Sequence, residues 1–85
     1  MPKTIFDGAH ADLVQVLVEA RKRSGLTQTE VAELVGKDQT FISLIERSQR
    51  RVDVLEFIVL ARAMKQDPAT LFGVLLSKVP ARIRI

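Results

Sequence analysis

Apolar residues recur at intervals of three and four along almost the whole chain, and no stretch before residue 79 alternates with a period of two. This spacing gathers apolar side chains on one face of a helix, so it predicts an all-α fold. Residues that start and stop helices divide the pattern into five helices, expected at about 7–12 to 24, 27–36, 38–47, 53–65 and 67–78. The sequence therefore predicts a five-helix bundle.

Side chains that cap helices stand at these expected starts. Thr27 and Asp53 are each followed three residues later by glutamate, which is the capping-box pattern. Asp38 is expected to cap the third helix, and Asp67 precedes a proline in the first turn of the fifth. Only three residues, with Gly36 among them, separate the second helix from the third, so we expect these two short helices to cross steeply.

The last two helices carry more apolar residues than one buried face requires. Nine of the eleven residues from 54 to 64 are apolar, so the fourth helix is expected to be the central one. The fifth helix is similarly rich in apolar residues. We expect a C2 homodimer formed by the region of about 68–85, through Leu71, Phe72, Leu75, Leu76, Ile83 and Ile85. The tail alternates apolar and basic residues over its last five positions, which fits either a frayed basic terminus or a strand paired with its own copy.

Composition limits the function classes. At 85 residues the chain is expected to be a single domain, 1–85, and it has no cysteine and one histidine, His10. Disulfides and thiolate sites are excluded, and a conventional zinc site or histidine-based triad is nearly so; we expect no cofactor, no metal and no enzymatic activity. No apolar run approaches a membrane span and no secretion signal is evident, so a cytoplasmic protein without a membrane partner is expected. The formal charge of +3 leans towards an anionic partner without requiring one.

Two charged residues stand at positions where the pattern calls for apolar ones. Arg21 continues the stripe of Val14, Leu17 and Val18 on the first helix, and Glu46 follows the inward-facing isoleucines of the third. A buried charge without a partner is costly, so we expect Arg21 and Glu46 to form an ion pair that fixes the third helix against the first. The alternative is that each side chain reaches the surface from near its helix end.

The outward face of the third helix is polar and free of acids. It carries Gln39, Thr40, Ser43 and Leu44, and it ends at Arg47. Such side chains suit DNA base edges, since an amide pairs with adenine, hydroxyls bond several bases and leucine packs on a thymine methyl group. We expect these first four residues to read bases. The helix-turn-helix unit would then span about 28–47.

Phosphate contacts are expected around that face. Gln28 begins the second helix, where its side chain and the free backbone N–H groups can hold a phosphate. Basic side chains lie on either side of the third helix, namely Lys37, Arg47, Arg50 and Arg51. Between residues 37 and 51 these four face only two acids, one of which is expected to be buried, so the local surface is more positive than the total charge suggests.

The runs 25–32, 35–36, 39–47, 50–53 and 60–63 resemble the lambda-repressor/Cro-like, or XRE, helix-turn-helix family. The resemblance covers about residues 13–76. It implies a third helix in the major groove of double-stranded DNA, usually presented by a two-fold dimer. It also implies that Gln28 clamps a phosphate and braces the first reading residue, that Gln39 and Thr40 are the principal base readers, and that Arg21 and Glu46 form a recurrent ion pair. Ser48 departs from the pattern, because many relatives have glycine there.

No second domain for ligand sensing or self-cleavage is expected, and stand-alone relatives of this size include restriction–modification controllers, small phage regulators and some antitoxins. The sequence thus predicts a dimeric transcription regulator, a repressor or controller that reads an inverted repeat. The main alternative is an antitoxin or another protein-interaction module of the same fold, in which the excess apolar surface contacts a protein partner.

Overall fold

The computed structural model describes residues 8–83, and within that range the chain forms five α-helices and no strand. They are α1 (Ala9–Ser24), α2 (Gln28–Leu34), α3 (Gln39–Glu46), α4 (Val54–Ala63) and α5 (Pro68–Lys78). The all-α, five-helix prediction is confirmed, and each boundary lies within about two residues of its expected position. None of these helices combines the length and the apolarity needed to cross a bilayer.

The helix starts follow the predicted capping chemistry. Thr27 and Asp53 each form a complete capping box, in which the side chain accepts from the backbone N–H three residues on and the glutamate there accepts from the cap's own N–H. Asp38 and Asp67 each accept one such backbone N–H bond. These bonds satisfy N–H groups that a helix leaves unpaired, which explains why such short helices have well-defined starts.

The turns use left-handed backbone at three places that position α2 and α3. Gly25 ends α1 with a φ of 76° and Gly36 lies in the α2–α3 turn with a φ of 74°, a conformation that glycine adopts without strain. Ser48, just after α3, has a φ of 58°. The chain therefore keeps a left-handed residue in the loop where a serine replaces the expected glycine.

The core is mainly aliphatic and lies where α1 meets the other helices. Val16, Leu17 and Ala20 of α1 are at most 4% exposed. They pack in one cluster with residues of all four other helices, namely Val31, Ala32, Ile42, Ile45, Phe57, Leu60, Ala61, Met64 and Leu71. Because α1 contacts α3, α4 and α5 while α2 packs on α3 and α4, the core supports the back of the α2–α3 pair.

The fourth helix, expected to be the central one, contacts α1, α2 and α5 but is buried on one face only. Phe57, Leu60 and Ala61 are buried, but Val54 is 75% exposed and Leu55 is 73% exposed. The core covers one face of α4 only, the face on which α1, α2 and α5 pack. The apolar residues on its outer face are therefore surface residues of the single chain.

The predicted dimer residues of α5 and the tail divide into two groups. Leu71 was expected at the dimer interface, but it is only 3% exposed and belongs to the core, so this prediction is wrong. Phe72, Leu76 and Ile83 are 49%, 60% and 46% exposed, and Leu75 is half-buried against the core. Residues 79–83 do not form a strand. Ile85 lies outside the described residues.

Candidate nucleic-acid interface

The α2–α3 pair presents the face that the sequence predicted for base reading. Ile42 and Ile45 anchor α3 in the core, at 3% and 2% exposure. On the opposite side Gln39 and Thr40 are exposed at the start of the helix, Ser43 and Leu44 are half-buried, and Arg47 is exposed at its end. The side chains at the start of α3 are therefore open to solvent.

Arg21 and Glu46 form the expected ion pair between α1 and the end of α3. Arg21 Nε donates to Glu46 Oε2 at 2.6 Å, and Nη2 donates to Oε1 at 3.0 Å. The remaining guanidinium nitrogen, Nη1, donates to the carbonyl of Leu26 at 3.0 Å. The two side chains are only 15% and 11% exposed, and the hydrogen bond to Glu46 raises the pKa of Arg21. The pair fixes α3 to α1 in one orientation.

Two glutamines extend this pair to the exposed start of α3. Gln28 Nε2 donates to Glu46 Oε1 at 2.9 Å, and Gln39 Nε2 donates to Gln28 Oε1 at 2.6 Å. A continuous hydrogen-bonded chain thus joins Arg21 on α1 to Gln39 on α3. The family resemblance implied that Gln28 braces the first predicted reading residue, and the hydrogen bond between Gln28 and Gln39 is that contact.

Arg50 is occupied by a second ion pair, which the sequence did not predict. Its Nη1 and Nη2 donate to Glu56 Oε1 and Oε2 at 2.9 and 2.8 Å, and Nη1 also donates to the carbonyl of Arg51 at 2.7 Å. The guanidinium lies 4.6 Å from the centre of the Phe41 ring. Hydrogen bonding with Glu56 raises the pKa of Arg50 and lowers that of Glu56. Arg50, for which a phosphate contact was predicted, thus joins α3 to the N-terminus of α4.

The other expected phosphate contacts lie at the edges of the α3 face. Lys37 is exposed in the α2–α3 turn, with its Nζ 5.5 Å from the centre of the Phe41 ring. Arg47 is exposed at the end of α3, and Arg51 is exposed in the loop that follows. The pKa of His10, at the start of α1, is lowered mainly by the burial of its ring. The positive charge of Arg51 lowers it further. Cationic side chains therefore stand on both sides of the exposed glutamine and threonine.

Two apolar surfaces lie away from α3. The first, which we call the α4–α5 surface, surrounds a hollow of about 110 Å³ lined by Leu13, Val52, Asp53, Val54, Phe57, Phe72 and Leu75. The Phe57 and Phe72 rings meet there edge to face at 6.1 Å. The second is a groove of about 230 Å³ whose lining includes Val35, Phe41, Leu55 and Val59. The sequence indicated surplus apolar residues on the fourth and fifth helices, but it did not identify the α4 residues of these two surfaces.

The chain matches known proteins over most of its length. The family model of the helix-turn-helix family HTH_3 matches residues 17–71, more than half of the chain. The chain belongs to this XRE-type helix-turn-helix family. An XRE-family-like protein from Pseudomonas syringae pv. tomato is 38% identical with a TM-score of 0.78, and the match covers 85% of this chain and 88% of the other. No curated protein sequence gives a significant match.

Restriction–modification controller proteins are among the similar structures. The controller C.AhdI from Aeromonas hydrophila is 35% identical, with a TM-score of 0.67, over 74% of this chain and 96% of its own. The controller C.Esp1396I, solved as a tetramer with its natural 35 base-pair operator, is 22% identical with a TM-score of 0.77, over 86% of this chain and 96% of its own. At that identity the likeness concerns the fold alone. This XRE-type domain has the fold of DNA-binding regulators, and the family and its neighbours are regulators rather than enzymes.

Proposed function

We propose that this XRE-type protein is a sequence-specific regulator of transcription that binds double-stranded DNA as a homodimer, in the manner of a restriction–modification controller. The observation that carries the proposal is the exposed start of α3, where Gln39 and Thr40 project between cationic side chains on a helix anchored by buried isoleucines. A face of amide and hydroxyl groups without acids suits the major groove, and the likeness to the 35% identical controller supports it.

The contacts divide into readers and positioning groups. Gln39 and Thr40 read bases first, and Ser43 and Leu44 lie further along the same face. Phosphates are held by Gln28, Lys37, Arg47 and Arg51, which flank that face. Arg50 acts differently, because its guanidinium is bonded to Glu56 and to a backbone carbonyl; its part is to hold the loop that carries Arg51.

The dimer forms through the α4–α5 surface. One reading helix contacts too few base pairs for the affinities of about 10⁻⁸ to 10⁻¹¹ M that specific regulators reach. Val54 and Phe72 of that surface are 75% and 49% exposed, and Leu76, one helical turn after Phe72, is 60% exposed. A second copy would cover them. Two-fold symmetry then sets an inverted repeat with half-sites about one helical turn apart, roughly 34 Å. Sedimentation at micromolar concentration should give a dimer, and a monomer both alone and on DNA would refute this part.

Selection of binding sites from random duplexes tests the function itself. The wild type should enrich an inverted repeat. Gln39→Ala/Thr40→Ala should weaken binding to that repeat by about 1–3 kcal/mol for each base that is no longer hydrogen-bonded, with little effect on unrelated duplexes. Gln15→Ala, an exposed glutamine on α1, is the matched control and should bind as the wild type does. Unaltered binding by the double variant would show that α3 is not the reading helix.

A protein-interaction module is the second candidate, and the groove beside α4 favours it. Leu55 and Val59 are 73% and 47% exposed there, on a face that the α4–α5 dimer leaves uncovered. Enrichment of no duplex in the selection, together with a stable dimer, would support this class over the regulator.

A further inference from the structure

The groove beside α4, which we call the α4 groove, is an apolar surface that the single chain leaves open to solvent. It has a volume of about 230 Å³. Leu55 and Val59 stand one helical turn apart on α4 and are 73% and 47% exposed. Val35, at the end of α2, and Phe41, on α3, also line it. The α4 groove therefore lies between α4 and the α2–α3 pair.

The shape of the α4 groove suits a helix of another protein. Its volume is below the roughly 300–1,000 Å³ of most small-molecule pockets, so it accommodates side chains rather than a whole ligand. Leu55 and Val59 form an i, i+4 ridge, the kind of ridge that packs into the grooves of a second helix. An amphipathic helix docks on such a surface through apolar residues at i, i+3, i+4 and i+7.

The charges that line the α4 groove favour an acidic partner. Both carboxylate oxygens of Glu56 accept from Arg50, and Asp53 accepts a backbone N–H as a helix cap, so these two acids are already engaged. Lys37 is exposed, with its Nζ 5.5 Å from the centre of the Phe41 ring, and it forms no ion pair within residues 8–83. The groove thus offers one cation to a partner, and a carboxylate complements it.

We propose that the α4 groove binds an amphipathic helix of a partner protein, whose apolar face covers Leu55 and Val59 and whose carboxylate pairs with Lys37. The helix is recognised without any contribution from DNA. Its consequence rests on the proposed function, in which Lys37 contacts a phosphate. A carboxylate and a phosphate then compete for the same cation, so the partner weakens DNA binding, and by linkage DNA weakens binding of the partner by the same factor.

The first experiment selects helices from a library of displayed peptides and reverses the charge at Lys37. The library has leucine fixed at i, i+3, i+4 and i+7, and its other positions are randomised. Wild type should enrich an acidic residue at one position beside the leucines, and Lys37→Glu should enrich lysine or arginine there. Enrichment of no peptide by the wild type, or of the same peptides by both proteins, would overturn the proposal.

Two matched valine variants locate the binding site of the selected peptide. Val59→Ser should weaken binding by about tenfold or more, because an apolar contact of the groove is lost. Val74→Ser, at a valine of α5 that is 42% exposed and does not line the groove, is the control and should bind as the wild type does. Thermal unfolding checks that both variants are folded, and Leu55→Ser repeats the measurement at the other residue of the ridge. Equal effects of Val59→Ser and Val74→Ser would place the peptide elsewhere and overturn the proposal.

Titration of the selected peptide with and without the selected duplex tests the competition. The duplex should weaken peptide binding by about fivefold or more. Unchanged affinity would overturn the competition, whereas a wild type that enriches no duplex would overturn the proposed function, and the peptide selection would still decide whether the groove binds a helix. If sedimentation shows that Leu55→Ser reduces an assembly larger than a dimer to a dimer, a second copy of the chain covers the groove, and the partner helix is refuted.

Discussion

The guanidinium of Arg50 and the carboxylate of Glu56 form two parallel hydrogen bonds, 2.9 and 2.8 Å long, across the start of α4. Glu56 is also the partner residue of the Asp53 capping box, so the same carboxylate holds the helix start and the preceding loop. Arg50 in turn lies 4.6 Å from the Phe41 ring centre on α3. Arg50 therefore connects the loop that follows α3 both to α3 and to the start of α4.

This pair predicts a loss of stability in acid. Arg50 and the capping bond lower the pKa of Glu56 from its ordinary value of 4.5. A carboxyl group with a depressed pKa in the folded state stabilises the fold above its ordinary pKa, and this contribution is lost as the pH falls from about 4.5 through the folded value. Urea unfolding of the wild type between pH 6 and pH 3 should show this decline, and Glu56→Gln should flatten it. An equally steep decline in Glu56→Gln would show that other carboxyl groups dominate; Asp67, whose pKa is lowered by its bonds to Thr70, is the next to test by Asp67→Asn.

Arg50 and Arg51 should behave differently in DNA binding, although they are neighbours. Arg51→Ala should weaken binding to every duplex and reduce the slope of log K against log salt by about 1, as expected for one phosphate contact. Arg50→Ala should lower stability and change that slope less, because the guanidinium is held by Glu56 and the Arg51 carbonyl. Titrations at four salt concentrations distinguish them. Equal changes in slope for the two variants would show that Arg50 contacts a phosphate, as the sequence predicted.

Removing one partner of the Arg21–Glu46 pair should destabilise the protein more than replacing both partners with apolar residues. Arg21→Met leaves the Glu46 carboxylate, which is 11% exposed, without its cation, and should cost about 3 kcal/mol in the free energy of unfolding. Arg21→Met/Glu46→Leu removes both charges and should recover most of that loss. Lys22→Ala, an exposed cation in the same turn, is the control and should change stability by less than about 0.5 kcal/mol. A double variant no better than Arg21→Met would show that the Arg21 bond to Leu26, rather than the ion pair, supplies the stability.

Some of these features could be predicted from the sequence and others could not, for physical reasons. Arg21 and Glu46 interrupt apolar stripes, and a charge in such a position needs a partner, so their pairing was predictable. Arg50 and Glu56 belong to a loop and a helix start, where no periodicity relates them. Leu71 was misplaced because an apolar helix with two apolar faces does not show which face meets the core. Local chemistry specified the helices and caps, whereas the packing of α4 and α5 depends on neighbours that are distant in sequence.

Substitutions at Leu71 and Leu76 should have separate effects, the first on the stability of the fold and the second on dimerisation. Leu71→Ala creates a cavity in the core and should cost about 2–5 kcal/mol in stability, in line with other buried leucines. Leu76→Glu places a charge at a position that is 60% exposed, so the monomer should keep its stability while the dimer dissociates. Thermal unfolding and sedimentation, each over a range of protein concentrations, measure the two effects. If the dimer persists in both Leu76→Glu and Phe72→Glu, the interface does not involve this exposed face of α5.

Replacing Ser48 with glycine should stabilise the loop after α3. Ser48 has a φ of 58° and is 8% exposed, so a residue with a Cβ atom occupies backbone that glycine adopts more readily. Ser48→Gly should raise the free energy of unfolding by about 0.5–1 kcal/mol, since relief of strain exceeds the added entropy of the unfolded chain. Ser48→Ala keeps the Cβ atom and should give no gain. Lys65, with a φ of 59° on an exposed turn, offers a second comparison, and Lys65→Gly should be stabilising for the same reason. If Ser48→Gly is less stable than Ser48→Ala, the left-handed backbone is not the strained feature of this loop, and the serine is retained for its packing.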